Sequence, residues 1–266
     1  MSQENLIEIR GLRFAYGARA VLDGIDLDIP KGKVTAILGG SGCGKTTLLR
    51  LIGGQTRPTA GHVKLAGQVV HELGNRDLYK LRRKIGRMFQ ESGLFTDLSV
   101  YENIAFPMRE HTDLPEDMIH DLVLMKLHAV GLRGASGLMP AELSGGMARR
   151  VALARAIALD PMLAIYDEPF SGLDPISLNV IANIIRTLND TLGITSIVVT
   201  YDVSESLKIA DHAYFIDAGR VVAGGPVAEV LAAKDAFVDQ FVHALPKGPV
   251  AFDYPAPSLA TDLRLA

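Results

Sequence analysis

Apolar and polar residues alternate through the first stretch of the chain. LIEIRGLRFAYG and AVLDGIDLDIPKG both carry the period-two pattern of half-buried strands, and the second closes on the turn signal Pro30-Lys31-Gly32. Three later runs lack the alternation. VTAIL (34–38), MLAIY (162–166) and TSIVV (195–199) are short and largely apolar, the pattern of strands buried on both faces. The first of them runs into GGSGCGKTT and then into LLRLIGG, which has helical spacing. Residues 91–159 are predicted to be largely helical, with breaks at Pro107, Pro115 and Pro140. HAYFIDAGRVVAGG predicts a hairpin turning at Ala218-Gly219. The final stretch, ALPKGPVAFDYPAPSLATDLRLA, has four prolines and no periodicity, and is expected to be an extended tail. Strands alternating with helices predict an α/β fold with a mostly parallel core sheet.

Composition narrows the field of functions. The 266 residues suffice for one large domain with a sizeable core. A net charge of −3, from 27 basic and 30 acidic residues, makes no electrostatic case for general nucleic-acid binding. No uninterrupted apolar run approaches the length of a membrane span. The start, MSQENLIEIR, lacks the basic and apolar segments of a signal peptide. The single cysteine, Cys43, excludes an internal disulfide and argues against a cysteine-only metal site. The expected compartment is a reducing cytoplasm, so a membrane role would come through a partner.

Two groups of residues point to phosphate chemistry. Gly39-Gly40-Ser41-Gly42-Cys43-Gly44-Lys45-Thr46 fits the P-loop pattern G-x-x-x-x-G-K-[ST], and Thr47 follows it. Glycines let such a loop turn its backbone N–H groups toward phosphate oxygens, at the start of a helix that favours negative charge. Lys45 is expected on the β- and γ-phosphates, and the Thr46 hydroxyl on Mg²⁺. A chance glycine-rich turn would not also be framed by an apolar strand and a helix. Asp167 and Glu168 end the strand MLAIY. The first can hold Mg²⁺ and the second can deprotonate an attacking water. The bland alternative is a solvated acidic turn before Pro169.

P-loops are shared by many NTPases, and the discriminating stretch is Leu143-Ser144-Gly145-Gly146-Met147. It resembles the LSGGQ signature of the ATP-binding-cassette ATPases, in which Ser144, Gly145 and Gly146 would bind a γ-phosphate at a helix start. The resemblance covers residues 5 to about 235. It implies a cassette domain over 5–240, with an N-terminal antiparallel β subdomain, a mostly parallel RecA-like core and a helical signature subdomain at about 91–160, followed by the tail 241–266. It implies ATP and Mg²⁺ as cofactors. Gln90, ending GRMFQ, looks like the Q-loop glutamine, which would touch Mg²⁺ and sense a membrane partner. Ser171-Gly172-Leu173-Asp174 looks like the D-loop. Tyr16 stands where the family has an aromatic stacked on adenine, although a lone tyrosine on a strand also serves in packing. In the family, ATP is sandwiched between the P-loop of one cassette and the signature of another, so the chain is expected to form a two-fold dimer.

One position departs from the family. Where a switch histidine usually precedes the aspartate of the segment after TSIVV, this chain has Tyr201, and His212 lies too far on to substitute. Either the Tyr201 hydroxyl replaces the histidine and hydrolysis survives with Glu168 as base, or ATP binds and turns over poorly. The first reading is preferred, because the other site residues are all present. Cys43 is read as a small filler of the loop.

Longer strings narrow the resemblance further. SGLFTDLSVYENIAFPMREHTDLP and LMKLHAVGLRGASGLMPAELSGGMARR are similar to the ATPases of Mla-type phospholipid transporters. That likeness implies a permease of the MlaE type, a periplasmic lipid-binding MCE subunit and a small STAS-domain subunit of the MlaB type. The site would be the cytoplasmic face of the inner membrane, reached through the permease. Leu94, Phe95 and Leu98 suit contact with that permease. Phe252 and Tyr254, set between prolines, suit a tail that clasps the neighbouring cassette. The alternatives are the ATPase of another importer or a soluble cassette protein. The latter usually has two cassettes in one chain or a coiled-coil insertion, and this chain has neither. A P-loop kinase has no use for LSGGM.

Overall fold

Strands with no polar face organise the molecule, because such strands must be covered on both sides. The computed structural model describes residues 4–250, 256 and 258–263. In chain order the strands are β1 (Asn5–Tyr16), β2 (Arg19–Pro30), β3 (Val34–Leu38), β4 (Ala60–Leu65), β5 (Gln68–Val69), β6 (Ile85–Met88), β7 (Leu163–Asp167), β8 (Thr195–Val199), β9 (His212–Asp217) and β10 (Arg220–Pro226). The helices are α1 (Lys45–Ile52), α2 (Asn75–Arg82), α3 (Val100–His111), α4 (Glu116–Ala129), α5 (Gly145–Ala156), α6 (Pro175–Leu192), α7 (Val203–Ile209), α8 (Val227–Ala232), α9 (Ala236–Val242) and α10 (Leu259–Asp262).

Two sheets result. The alternating strands β1 and β2 pair antiparallel and lie in a four-stranded sheet of order β2-β1-β4-β5. The apolar strands β3, β7 and β8 are buried at every residue. They lie in a six-stranded sheet of order β10-β9-β3-β8-β7-β6, parallel except at β10. The α/β class and the antiparallel subdomain expected from the sequence are both present. The hairpin at Ala218-Gly219 also forms, with both residues at positive φ.

One core lies between the two sheets around α1, with Ile9, Leu27, Leu48 and Ile197 among its buried members. A second joins the helical stretch to the far face of the large sheet. There Ile104, Val123 and Val151 pack in one cluster with Tyr166 and Ile185.

Two expectations about breaks need correction. Pro107 does not interrupt its helix, since α3 runs through it. Proline removes one backbone donor, but Ile104, Ala105 and Met108 on either side are fully buried and hold the turn in place. The tail expected from residue 241 also begins as packed structure. Helix α9 continues to Val242, and the buried Gln240 amide reaches across the chain that follows. It donates to the carbonyls of Leu245 (3.3 Å) and Val250 (3.0 Å) and accepts from the Val250 N–H (2.8 Å). Residues 243–250 are therefore folded back on the core, and α10 is a single short turn further on. Phe252 and Tyr254 lie outside the described residues.

Candidate active site

Parallel strands deliver their carboxyl ends to one edge of a sheet, which is where open α/β folds collect ligand chemistry. Here Ile37 pairs with Val199 and Val199 with Asp167, so β3, β8 and β7 end side by side. The glycine-rich loop, the Thr200-Tyr201 segment and the acidic pair thus meet at one place. His212, by contrast, opens β9, which runs parallel to β3, and so sits at the opposite edge.

The loop geometry explains its glycines. A Cβ at Gly39 would lie 2.1 Å from the Ile216 carbonyl oxygen, and one at Gly44 would lie 2.6 Å from a Leu22 methyl. Gly44 caps α1 at φ 110°, and no acidic residue occupies the first turn. The helix start is left for an anion. Lys45 is buried, and its ammonium donates to the Gly39 (2.7 Å) and Gly40 (3.0 Å) carbonyls. Ser41, Gly42 and Thr46 face solvent, Gly40 is half-buried, and Thr47 is buried behind the loop. Cys43 is buried with its sulfur 3.8 Å from Lys45 Nζ, and burial pushes its thiol pKa up.

The tyrosine lies against the phosphate-loop lysine: Lys45 Nζ is 3.9 Å from the Tyr201 ring centroid. A cation over an aromatic face is attracted by the ring quadrupole. The Tyr201 backbone N–H donates to Glu168 Oε2 at 3.3 Å.

Glu168 holds a left-handed backbone at φ 50°, unusual for a residue with a Cβ. Its N–H is fixed by the Val199 carbonyl at 2.7 Å. The side chain is 5% exposed, and Oε1 is buried with no hydrogen-bond partner. Burial raises its pKa above the usual carboxylate value. A strained, buried carboxylate with a free oxygen is suited to receive a proton. Its neighbour Asp167 is also buried, and Arg87 Nη2 approaches its Oδ2 at 3.2 Å.

The donors near this edge are hard oxygens: the Thr46 hydroxyl, the Asp167 carboxylate and the Gln90 amide. Among the described residues no cluster of three or more His, Cys, Asp or Glu could hold a metal. That set fits Mg²⁺, which keeps waters and substrate oxygens in its shell, and does not fit a cation that needs an all-protein cage.

The remaining expected residues stand at the starts of α5 and α6, on β1 and just after β6. Ser144 caps α5 by accepting from the Met147 N–H at 3.2 Å, and Ser144 and Gly145 are exposed. Gly146 packs against α6, where a Cβ would lie 3.2 Å from Ser177 Oγ. Asp174 caps α6 by accepting from the Ile176 and Ser177 N–H groups, both at 3.0 Å. The Ser177 side chain first, and then the Ser177 and Ile176 N–H groups, lower its pKa. Gln90 is exposed, and its carbonyl accepts from Arg149. Tyr16 is half exposed, edge-on to Phe14, with its hydroxyl accepting from Arg50 at 3.1 Å.

Two functional candidates went unseen in the sequence. Arg149, on α5, binds the carbonyls of Gln90, Glu168 (3.1 Å) and Ser171 (3.1 Å), tying the signature helix to three segments of the site. Arg87 is the other. Neither belongs to a motif with a distinctive spacing, and the only cue for Arg149 is its place in the turn after LSGGM.

A family model described as ABC transporter matches residues 22–171, more than half of the chain. The chain belongs to the ABC transporter family. Over 260 residues it is 54% identical to the intermembrane phospholipid transport system ATP-binding protein MlaF of Haemophilus influenzae, covering 98% of both chains. It is 50% identical over 262 residues to the Escherichia coli K12 protein of the same name, covering 98% of this chain and 97% of that one. Among solved structures, cbiO1 of Clostridium perfringens, part of an ABC transporter complex, superposes on this cassette with TM-score 0.81 and 32% identity, covering 90% of this chain and 95% of that one. A dimeric post-hydrolysis state of the ATP-binding cassette MJ0796, bound to ADP and phosphate, matches with TM-score 0.75 and 28% identity, covering 83% of this chain and 98% of that one.

Proposed function

We propose that this chain is the ATP-hydrolysing subunit of a phospholipid transporter acting between the inner and outer membranes, and that it works as a two-fold homodimer around two ATP. The observation that carries this reading is a complete phosphate loop, acidic pair and signature in a chain that matches two intermembrane phospholipid transport ATP-binding proteins over 98% of its length. The P-loop amides and the Lys45 ammonium bind the β- and γ-phosphates, and Tyr16 stacks on the adenine. Thr46, Gln90 and Asp167, with water, would hold Mg²⁺, which would supply positive charge to the phosphates. Glu168 takes the proton of the attacking water. The water oxygen bonds to the γ-phosphorus, and the bond from that phosphorus to the bridging oxygen breaks, leaving ADP and phosphate. The second copy supplies Ser144, Gly145 and Gly146 to the other face of the γ-phosphate.

No helix among the described residues is long and apolar enough to cross a membrane. In this reading the chain acts on lipid through partners: a permease of the MlaE type at the cytoplasmic face of the inner membrane, a periplasmic MCE subunit within the same complex, and a small STAS-domain subunit. A tagged pull-down from detergent-solubilised membranes, with mass spectrometry of proteins and lipids, tests this. The expected result is a permease, an MCE protein and a STAS protein with bound phospholipid. A different permease would overturn the substrate, and recovery of no membrane protein would overturn transport.

A further inference from the structure

Arg87 faces two places at once. It lies on β6, the edge strand beside β7, and its guanidinium reaches Asp167 at 3.2 Å with both side chains largely buried, 17% and 11% exposed. The same guanidinium carbon lies 4.9 Å from the Phe89 ring centroid, and Nη1 lies 3.5 Å from Gln55 Oε1. Its Nε is buried without a hydrogen-bond partner. Arg87 also lines a groove of about 570 Å³ between this sheet edge and α3.

The groove has a distinct chemistry. Phe89, Phe95 and Phe106 line it and are each more than two-fifths exposed. Arg82, Arg83 and Arg155 line it as well, and no Asp or Glu does so among the described residues. Those three arginines are met by carbonyl oxygens: Gly53 and Gly54 for Arg82, His111 for Arg83, Ser92 and Gly93 for Arg155. Arg87 alone of the four pairs with a carboxylate, and that carboxylate is Asp167. An aromatic floor ringed by arginines fits a segment with an apolar face and a carboxylate.

We propose that Arg87 is a positioning residue that couples this groove to Asp167: a carboxylate on a docked segment of the membrane partner takes the guanidinium and leaves Asp167 free for Mg²⁺. The proposal rests on the transporter reading above. A buried guanidinium that passes from one carboxylate to another is never left unpaired, so the exchange avoids the large penalty of stranding a buried charge. A guanidinium resting on Asp167 opposes a second cation there, because like charges at that distance repel. The groove and the metal site are joined by one side chain, with no rearrangement of the sheet between them.

The test reads binding rather than turnover. Purified full-length protein is titrated with a fluorescent ATP analogue at a series of Mg²⁺ concentrations. Arg87→Met is expected to lower the Mg²⁺ concentration for half-maximal binding by about tenfold, the scale of one hydrogen bond to a charged group. Phe89→Glu places a carboxylate beside the guanidinium on a half-exposed residue, so it works with Arg87 intact and does not depend on the first variant's folding. It is expected to shift the Mg²⁺ requirement in the same direction, and to add nothing in the Arg87→Met background. An unchanged or raised Mg²⁺ requirement in both single variants overturns the proposal, and so do additive shifts in the double variant. The two readings fail separately. A permease recovered in the pull-down with no Mg²⁺ shift in either variant removes the coupling and leaves the transporter. A Mg²⁺ shift with no permease recovered keeps the Arg87–Asp167 contact and overturns the docked partner.

Discussion

The two sides of the proposed nucleotide site differ in how they are held. Cys43, Lys45, Thr47, Asp167 and Glu168 are each less than a tenth exposed, fixed by three adjacent strands and their backbone bonds. Ser144 and Gly145 lie open to solvent. Close by, at the start of α6, Ile176 is 78% exposed and Val180 39%. Arg149 ties the signature helix to the carbonyls of Gln90, Glu168 and Ser171, and so holds it beside the site within its own chain. The phosphate side is pre-organised, whereas the signature side has the exposed apolar neighbours of a surface built to be covered. On the proposed function, one chain carries two complementary half-sites, and a second copy would bring unlike halves together.

Mixing variants gives the sharpest break in that comparison. Lys45→Ala damages the phosphate side, and Ser144→Arg blocks the signature side. Either homodimer should lose about a thousandfold in kcat, on the scale of removing a group aimed at transition-state charge. A mixed dimer keeps one whole site, made of the phosphate side of one variant and the signature side of the other. Equal mixing before ATP is added should therefore restore ATPase activity to about a quarter of the wild-type rate, since half the dimers are mixed and each has one working site. No recovery on mixing would mean that the halves do not pair across copies.

Glu168→Gln probes the phosphate side alone. It should lower kcat by about a hundredfold or more while ATP still binds. It should also stabilise the protein. Burial raises the folded pKa of this carboxyl above its ordinary 4.5. The folded state then holds the proton more tightly than the unfolded chain does, so the ionised form costs stability at every pH above the unfolded value. The amide removes that cost, and Tm at neutral pH should rise by about 2 °C for a chain of this size. The acid limb of the wild-type kcat/KM profile should lie above pH 4.5 and be absent from the variant's residual rate. A Tm that falls would show that the buried carboxylate is stabilised by contacts the structure does not contain.

What the sequence revealed about these sides follows the same division. VTAIL and TSIVV became β3 and β8 over the residues expected, because an apolar run between turn signals has few other solutions in an α/β chain. The phosphate loop was legible because its glycines answer to local backbone geometry, such as the close approach of Gly39 to Ile216. Interactions between distant segments were not legible. The Gln240 amide organises residues 245–250 through three hydrogen bonds that no spacing rule contains. Pro107 was read as a break because local propensity favours one, and buried packing on both sides overrode it. Arg87 and Arg149 act through partners 80 and up to 59 residues away, so nothing near them in the chain marks them.

Tyr201 stands between these cases, since its position was legible and its contact with Lys45 was not. Reading it as a substitute for a histidine puts weight on its hydroxyl, the only group that can donate. In the structure Lys45 Nζ lies 3.9 Å from the ring centroid, a contact made by aromatic area and not by the hydroxyl. Two substitutions separate these roles. Tyr201→Phe keeps the ring, and ATP affinity and kcat should stay within about twofold of wild type. Tyr201→Leu removes it and frees the ammonium, and ATP affinity should fall about two- to fivefold, the scale of a partly exposed cation–π contact. The effect is small because the Gly39 and Gly40 carbonyls still hold Lys45. If phenylalanine and leucine lose kcat equally while binding is unchanged, the hydroxyl is the working group, and the contact with Lys45 is only where the ring rests.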